Sequence, residues 1–525
     1  MTPSKRVIPW SPWSEKTPFR HLENSSGNER TGVRHTMNYR VVCRVLGLLT
    51  LLLAAAMLIC GFYGYFADAS NRPDKLDFAL LKSFAIAAVI GGLLKYVGSK
   101  GGNEILRKEG IAIVGLGWII STLLGAVPYV LCDPPLPPAA AIFESASGFT
   151  TTGSTAIADL DQYSHSILLW RSTTQWLGGM GILVLFVALL STLGVGSKAL
   201  FRFESSAQIG YGFHARIRQT ALQLWQIYTG LTVIAVAGLM LLGMSFYDAL
   251  LHGFAAVSTG GFGPKNESLI FYDSPAIEVW LTIIMLLGGM SFVLMAWFLR
   301  RNFRKVADDE EFRAYLLIFA VATIAITVDL MIRQDGPWLE SLRFSSFQAA
   351  SIMTTTGFAS ADFNQWPTLS KAILVLLMFI GGCAGSTSGS IKVSRFLIFS
   401  KTLVQQMTNA FRPNHVVPLR MNGATLDNDT KTAAVFFIAL SCIIVGIGSL
   451  FITLLEPELN LVSAFTSVVT TLFNVGPGLD AVGPTKNFAH FSPASHLVFT
   501  FLMLLGRLEL YALLVLFMPA LWRRY

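Results

Sequence analysis

Long apolar runs alternate with short polar connections along this chain, and the length of the runs sets its reading. Ten runs of about 20 apolar residues, enough to cross a hydrocarbon core of roughly 30 Å, fall near 41–67, 78–98, 110–132, 167–193, 222–244, 277–299, 314–333, 372–400, 433–455 and 497–521. Four shorter apolar stretches lie between them: Ala139 to Gly148, Tyr247 to Val257, Phe344 to Thr354 and Val462 to Thr470. At about 10 residues each they are too short to cross, so the pattern predicts half-helices that enter and return. Each runs into a glycine flanked by small or amide residues: Phe149-Thr-Thr-Thr-Gly153-Ser154, Val257-Ser-Thr-Gly260-Gly261-Phe262, Met353-Thr-Thr-Thr-Gly357-Phe358 and Phe473-Asn-Val-Gly476-Pro477. Irregular backbone at membrane depth persists only where protein covers it or water lines it, so four such loops imply one shared cavity.

The motif glycines recur roughly every 100 residues, and each unit reads span, short helix, glycine motif, span. The predicted architecture is an all-α polytopic membrane protein of about ten transmembrane helices, four pore-loop repeats in pseudo-fourfold arrangement behind two N-terminal helices. Its divisions are 1–36, a polar cytoplasmic leader expected to be disordered; 37–109, the two N-terminal helices; and repeats at 110–200, 201–312, 313–430 and 431–525. Met37 stands just before the first run, so the leader is either native or an extension of the reading frame. Each half-helix aims the partial negative charge of its C-terminal end at the cavity, which favours a cation. The glycines suit backbone that must take positive φ or approach its counterparts closely.

Charge adds orientation. Arg40 and Arg44, then Lys95, Lys100, Arg107 and Lys108, then Lys198, Arg202, Arg216 and Arg218, then Arg300, Arg301, Arg304 and Lys305, then Lys401, Arg412, Arg420 and Lys431, and finally Arg523 and Arg524 occupy every second connection. The positive-inside rule then places both termini in the cytoplasm and the four glycine motifs outward. With 53% hydrophobic and 13% charged residues, the 525-residue chain is far more apolar than a soluble protein, and its net charge of +8 reflects topology, with no nucleic-acid partner implied. The five cysteines are scattered without metal or redox spacing, and the eight histidines form no paired-ligand motif, so an enzyme is not expected.

Two interruptions carry further chemistry. Within the run 372–400, Gly381-Gly382-Cys-Ala-Gly385-Ser-Thr-Ser-Gly389-Ser390 precedes Ile391-Lys392, and its glycines lower helix propensity by about 1 kcal/mol each, so the stretch is expected to unwind or to pack closely on a neighbour. It lacks the Gly-Lys-Ser/Thr ending of a phosphate loop. Arg507 and Glu509 interrupt the last run, and a charge there implies a partner or an aqueous cavity. Lys392 either projects into the cavity or snorkels, and Glu144 either lends negative potential to the entrance or bonds local backbone.

The segments Phe143-Glu-Ser-Ala-Ser-Gly-Phe-Thr-Thr-Thr-Gly153, Arg171-Ser-Thr-Thr-Gln-Trp-Leu-Gly-Gly-Met-Gly181, Val257-Ser-Thr-Gly-Gly-Phe262, Thr354-Thr-Thr-Gly-Phe-Ala-Ser360, Phe473-Asn-Val-Gly-Pro-Gly478 and Leu505-Gly-Arg-Leu-Glu-Leu510 resemble the TrkH/TrkG potassium-uptake proteins of the Trk/Ktr/HKT superfamily, from about Met37 to Tyr525. The leading pair of spans favours TrkH-like over KtrB-like members. The resemblance implies four repeats around a pseudo-fourfold pore in the bacterial inner membrane, a homodimer, and regulation by a cytoplasmic nucleotide-binding TrkA-type subunit docking on the basic segments 194–218, 300–313 and 401–431. It implies a potassium filter of Thr151, Thr152 and Gly153; Ser258, Thr259 and Gly260; Thr355, Thr356 and Gly357; and Asn474, Val475 and Gly476. It also implies a gate in the loop holding Gly381, Gly382, Gly385, Gly389 and Lys392, with Arg507 beside the pore under the filter. Potassium is then the substrate and no organic cofactor is expected. Coupling to protons or sodium, as in a secondary transporter with broken helices, stays open on sequence grounds.

Overall fold

The structure, a computed structural model, describes residues 37–71, 77–101, 107–181, 217–412 and 418–522. The leader 1–36, the second half of the expected span 167–193 and most of the basic segment 194–218 lie outside these residues. Helices α1 (Tyr39–Asn71) and α2 (Ala79–Val97) pack on each other ahead of the repeats. The first repeat is α3 (Arg107–Leu131), α4 (Pro138–Phe149) and α5 (His165–Gly179). The second is α6 (Ile217–Leu241), α7 (Phe246–Ser258), α8 (Pro275–Gly289) and α9 (Phe292–Leu299), followed by the short α10 (Phe303–Ala307). The third is α11 (Glu310–Gln334), α12 (Trp338–Met353), α13 (Thr368–Phe379) and α14 (Val393–Phe411). A two-stranded hairpin, β1 (Arg420–Met421) with β2 (Ala424–Thr425), leads to α15 (Asn428–Leu455), α16 (Leu461–Leu472), α17 (Pro493–Arg507), α18 (Tyr511–Leu514) and α19 (Pro519–Trp522).

Local sequence explains where the short helices start and stop. Ser245 and Asn460 cap α7 and α16 by accepting from the amides of Asp248 and Ser463, while Pro138 opens α4 at a position where no amide is needed. At 12–16 residues, α4, α7, α12 and α16 span about 18–24 Å, less than the hydrocarbon core. Their C-terminal turns form the centre of the molecule. Ser145, Ser147, Ser351, Ser467 and Thr470 are fully buried there beside Phe143, Phe347 and Val468, so the core is a mixed polar one.

The second helix of each repeat packs on the short helix of the next. α5 lies on α7, α8 on α12 and α13 on α16, and α17 returns to α4 and closes the circle. Four units linked in this way form a ring, and the described residues belong to one contact unit, Met37–Arg523.

The apolar runs are not all continuous helices. Among the described residues six helices are long and apolar enough to cross a membrane, or up to eight if each bent pair is one span. The run 277–299 bends by 108° between α8 and α9, and the run 497–521 bends by 115° after α17. The run 372–400 stops at Phe379 and resumes as helix only at Val393. The second helices of the four repeats, at 12–15 residues, rise about 18–23 Å and are thus shorter than a hydrocarbon core.

Candidate functional site: a ring of four glycine motifs and the loop beneath it

Each short helix ends in the same way. The residue after its last turn is left-handed in all four repeats: Thr151 at φ 55°, Thr259 at 54°, Thr355 at 59° and Asn474 at 56°. The next amide reaches back five residues, from Thr152 to the Ser147 carbonyl (2.9 Å), Gly260 to Ala255 (2.8 Å), Thr356 to Ser351 (2.8 Å) and Val475 to Thr470 (2.9 Å). This is the Schellman arrangement, usually made by glycine. Asparagine takes this left-handed position readily, whereas threonine, β-branched, holds strain there of the kind that concentrates at functional sites.

A second left-handed residue follows two positions later: Gly153 at φ 85°, Gly261 at 76°, Gly357 at 81° and Gly476 at 102°. These four glycines form a closed circuit. A β-carbon on Gly153 would fall 2.3 Å from the Gly260 carbonyl oxygen, on Gly261 1.9 Å from that of Thr356, on Gly357 2.4 Å from that of Val475, and on Gly476 2.8 Å from that of Thr152. Each repeat presses its glycine on the carbonyl just before its neighbour's glycine, and only glycine fits.

The circuit shifts the second motif by one residue. Gly260 was the sequence expectation, yet the conformational equivalent of Gly153, Gly357 and Gly476 is Gly261, with Thr259, Gly260 and Gly261 matching Thr151, Thr152 and Gly153. Ser258 then stands one position before the set. The same register puts Glu144, His252, Gln348 and Ser467 at one shared place, nine residues before each glycine, and all four are fully buried.

The glycine-rich stretch lies directly against this ring. From Gly381 to Lys392 the backbone is non-helical, and its ends meet as Ile380 bridges Ile391. The Gly389 amide donates to Thr355 Oγ1 (2.7 Å), the Ser390 amide to the Phe473 carbonyl (3.0 Å), and Thr387 Oγ1 to the carbonyls of Val257 and Gly288 (both 3.1 Å). The loop thus contacts three of the four motifs. Gly382 passes so close to Gly289 that a β-carbon would fall 2.5 Å from its carbonyl oxygen.

Arg507 joins this loop to the first repeat. Its guanidinium donates to the Thr387 carbonyl (2.9 Å) and to the carbonyls of Gly178 (2.6 Å) and Gly179 (2.8 Å) at the end of α5. Those last carbonyls carry the negative end of a helix, where a cation is favoured. Glu509 pairs with Arg395 on α14 (2.5 Å). Lys392 neither snorkels nor projects away from its own loop. It is buried and turns back to the carbonyl of Ser388, with Ser388 Oγ at 3.3 Å.

Residues 76–524 match the profile of the TrkH family, described as cation transport protein. The chain belongs to the TrkH family. The Trk system potassium uptake protein TrkH of Escherichia coli (strain K12) is 35% identical over 93% of this chain and 100% of its own length. TrkG of the same strain is 30% identical, again over 93% and 100%, and TrkI of Halomonas elongata is 33% identical over 92% and 97%. The fold is that of the crystal structure of the potassium transporter TrkH from Vibrio parahaemolyticus, with a TM-score of 0.82, 30% identity, and 93% and 100% coverage.

Two further groups brace the ring of this TrkH-family chain, and sequence reasoning missed Gln175 and the pairing of Arg171 with Glu144. Gln175 on α5 reaches the second motif, its Nε2 donating to the Gly260 carbonyl (2.5 Å) and its Oε1 accepting from the Phe262 amide (3.0 Å). It fills the space that Thr152 and Thr356 side chains occupy in their own motifs, for a β-carbon on Gly260 would meet its Cδ at 2.5 Å. Behind the first motif, Arg171 pairs with Glu144 at 2.7 Å, both almost wholly buried. Glu144 also accepts from the Ala156 amide (2.8 Å) and Thr155 Oγ1 (3.1 Å), and Arg171 stacks on Phe262 of the second motif. Glu144 therefore ties local backbone and does not lend free charge to an entrance.

Breaking that pair has a measurable consequence. Glu144→Ala leaves a buried guanidinium without its carboxylate, a loss of about 3–5 kcal/mol. The expected result is a clear fall in Tm in detergent, with Glu144→Gln falling less. An unchanged Tm would mean that Arg171 finds equivalent partners elsewhere.

Proposed function

We propose that this chain carries potassium into the cell across the bacterial inner membrane through a carbonyl-lined filter, with both termini cytoplasmic and no catalytic chemistry. The observation that carries this reading is the closed circuit of four glycine–carbonyl contacts, one from each repeat. Carbonyl rings of this kind replace the hydration shell of potassium. The filter set is Thr151, Thr152, Gly153; Thr259, Gly260, Gly261 with Ser258 beside them; Thr355, Thr356, Gly357; and Asn474, Val475, Gly476. Four helix C-termini directed at the ring add negative potential. The names of the relatives, Trk system potassium uptake proteins, support potassium as the ion.

The loop Gly381 to Lys392 is the gate in this reading, with Gly381, Gly382, Gly385 and Gly389 giving it room to lie under the ring and Arg507 holding it there. A homodimer and a cytoplasmic TrkA-type nucleotide-binding partner complete the proposal, the basic segments 300–313 and 401–431 offering the docking surface. The test is rubidium uptake into proteoliposomes holding only this chain, driven by a potassium gradient without a sodium or pH gradient. Uptake suppressed by external potassium far more than by sodium is expected. Uptake that starts only when a proton or sodium gradient is imposed would replace the pore with a coupled transporter.

A further inference from the structure

The candidate gate loop is held from two sides. Toward the ring it bonds to the motifs, as described. Away from the ring a single carboxylate takes hold of it: Glu311 Oε1 accepts from the Ala384 amide within the loop (2.7 Å) and from the Ser394 amide (2.9 Å). Ser394 lies in the first turn of α14, whose N-terminal amides lack a side-chain cap of their own, since Lys392 at the cap position provides none. Glu311, buried in the first turn of α11, therefore serves as a cap in trans. An anion at a helix N-terminus is stabilised by the amides and the dipole together. One oxygen thus ties the loop, α14 and α11 at a single point.

The adjacent residue extends the connection outward. Glu310 pairs with Lys401, two turns further along α14, and accepts from the Asn422 amide at 3.0 Å. Asn422 sits at the turn of the β1–β2 hairpin, where its Oδ1 accepts from the Glu310 amide (2.8 Å) and its Nδ2 donates to Asp309 (2.8 Å). Lys401 also donates to the Arg420 carbonyl (2.8 Å). The hairpin, the middle of α14 and the start of α11 are thus joined by Glu310. The beginning of α14 and the loop are joined by Glu311.

We propose that Glu311 is a positioning residue of the gate: it makes α14 and the loop move as one piece, so that displacement of α14 or its hairpin withdraws the loop from the ring. The proposal rests on the reading of the loop as a gate. Because one Glu311 oxygen holds both the Ala384 amide of the loop and the Ser394 amide of α14, a shift of α14 is passed to the loop through that carboxylate as well as through the chain at Lys392, whereas the loop is held to the motifs by neutral hydrogen bonds of Thr387, Gly389 and Ser390 that can be exchanged for water. Gln at 311 keeps the accepting oxygen and loses the charge. Ala loses both.

The experiment compares wild type, Glu311→Gln, Glu311→Ala and a chain shortened between Gly381 and Ser390, with two readouts. The first is basal rubidium uptake with its potassium-to-sodium preference. The second is maleimide labelling of Cys383, a buried loop thiol, read by peptide mass against the buried Cys60 and Cys132 elsewhere. Expected is severalfold faster uptake in Glu311→Ala with ion preference retained, a smaller rise in Glu311→Gln, and faster labelling of Cys383 but not of Cys60 or Cys132. If the shortened chain leaks while Glu311→Ala does not and its Cys383 stays protected, the coupling role is overturned and the gate stands. If neither leaks, both the gate and the coupling fail. Equal acceleration of all three thiols would reduce Glu311 to a general stabilising contact, and should Glu311→Ala not fold, the labelling of Glu311→Gln decides alone.

Discussion

Replacing Gly261 with alanine is expected to cost this chain most of its potassium preference, while the same change at Gly260 costs much less. At Gly261 the backbone is left-handed and the new β-carbon would fall 1.9 Å from the Thr356 carbonyl oxygen. A non-glycine residue in such a conformation holds about 1–3 kcal/mol of strain. The clash is with backbone, so it is relieved only by moving that carbonyl, and in the proposed filter a displaced member of a four-carbonyl ring alters the coordination of the ion. A change of about 1.4 kcal/mol in the relative stabilisation of potassium and sodium is tenfold in selectivity, and a loss of at least about that size is expected. At Gly260 the new carbon meets Gln175 Cδ at 2.5 Å, so the clash is with a side chain and is relieved by shifting Gln175 at the cost of its bonds to Gly260 and Phe262, without forcing a ring carbonyl aside. Gly357→Ser, with its β-carbon 2.4 Å from the Val475 carbonyl, should resemble Gly261→Ala. Rubidium uptake competed by potassium and by sodium distinguishes these variants. Greater damage from Gly260→Ala than from Gly261→Ala would return the second motif to the register read from sequence.

Why sequence placed the ring but not its register is visible in the two glycines. Run length and recurrence gave four half-helices and four motifs, because both are properties of side-chain pattern. Choosing between Gly260 and Gly261 depends on which amide closes back on Ala255, a backbone event that side-chain pattern does not encode. The bends after Gly289 and Arg507 escaped for a related reason. Hydropathy records apolar side chains, and the run 277–299 is apolar straight through its bend. A signal did exist: Gly178-Gly179-Met180 and Gly288-Gly289-Met290 recur at the ends of α5 and α8, and Gly381-Gly382-Cys383 stands just past α13. Arg171 and Glu144 were visible as residues, but their pairing crosses the first motif and is set by how α5 lies against α4.

Arg507→Ala is expected to raise basal flux about tenfold or more with ion preference unchanged. On the reading of the loop as a gate, the guanidinium's bond to the loop carbonyl of Thr387 is made only while the loop lies under the ring, whereas its bonds to the two carbonyls that end α5 do not need the loop. A hydrogen bond to a charged group adds about 1.5–3 kcal/mol net. Losing the lower figure from the closed state alone multiplies the open population roughly tenfold. Arg507→Lys should fall between, because a single ammonium lacks the planar fork that serves carbonyls on two elements at once. The bonds to Thr387, Gly178 and Gly179 involve no filter residue, so potassium over sodium preference should survive. The measurement is uptake by proteoliposomes holding each variant alone, beside a thermal melt to confirm folding. A folded Arg507→Ala no leakier than wild type would mean that the loop keeps its place through Thr355, Val257 and Phe473 without help, and closure would then reside in the contacts between the loop and the motifs themselves.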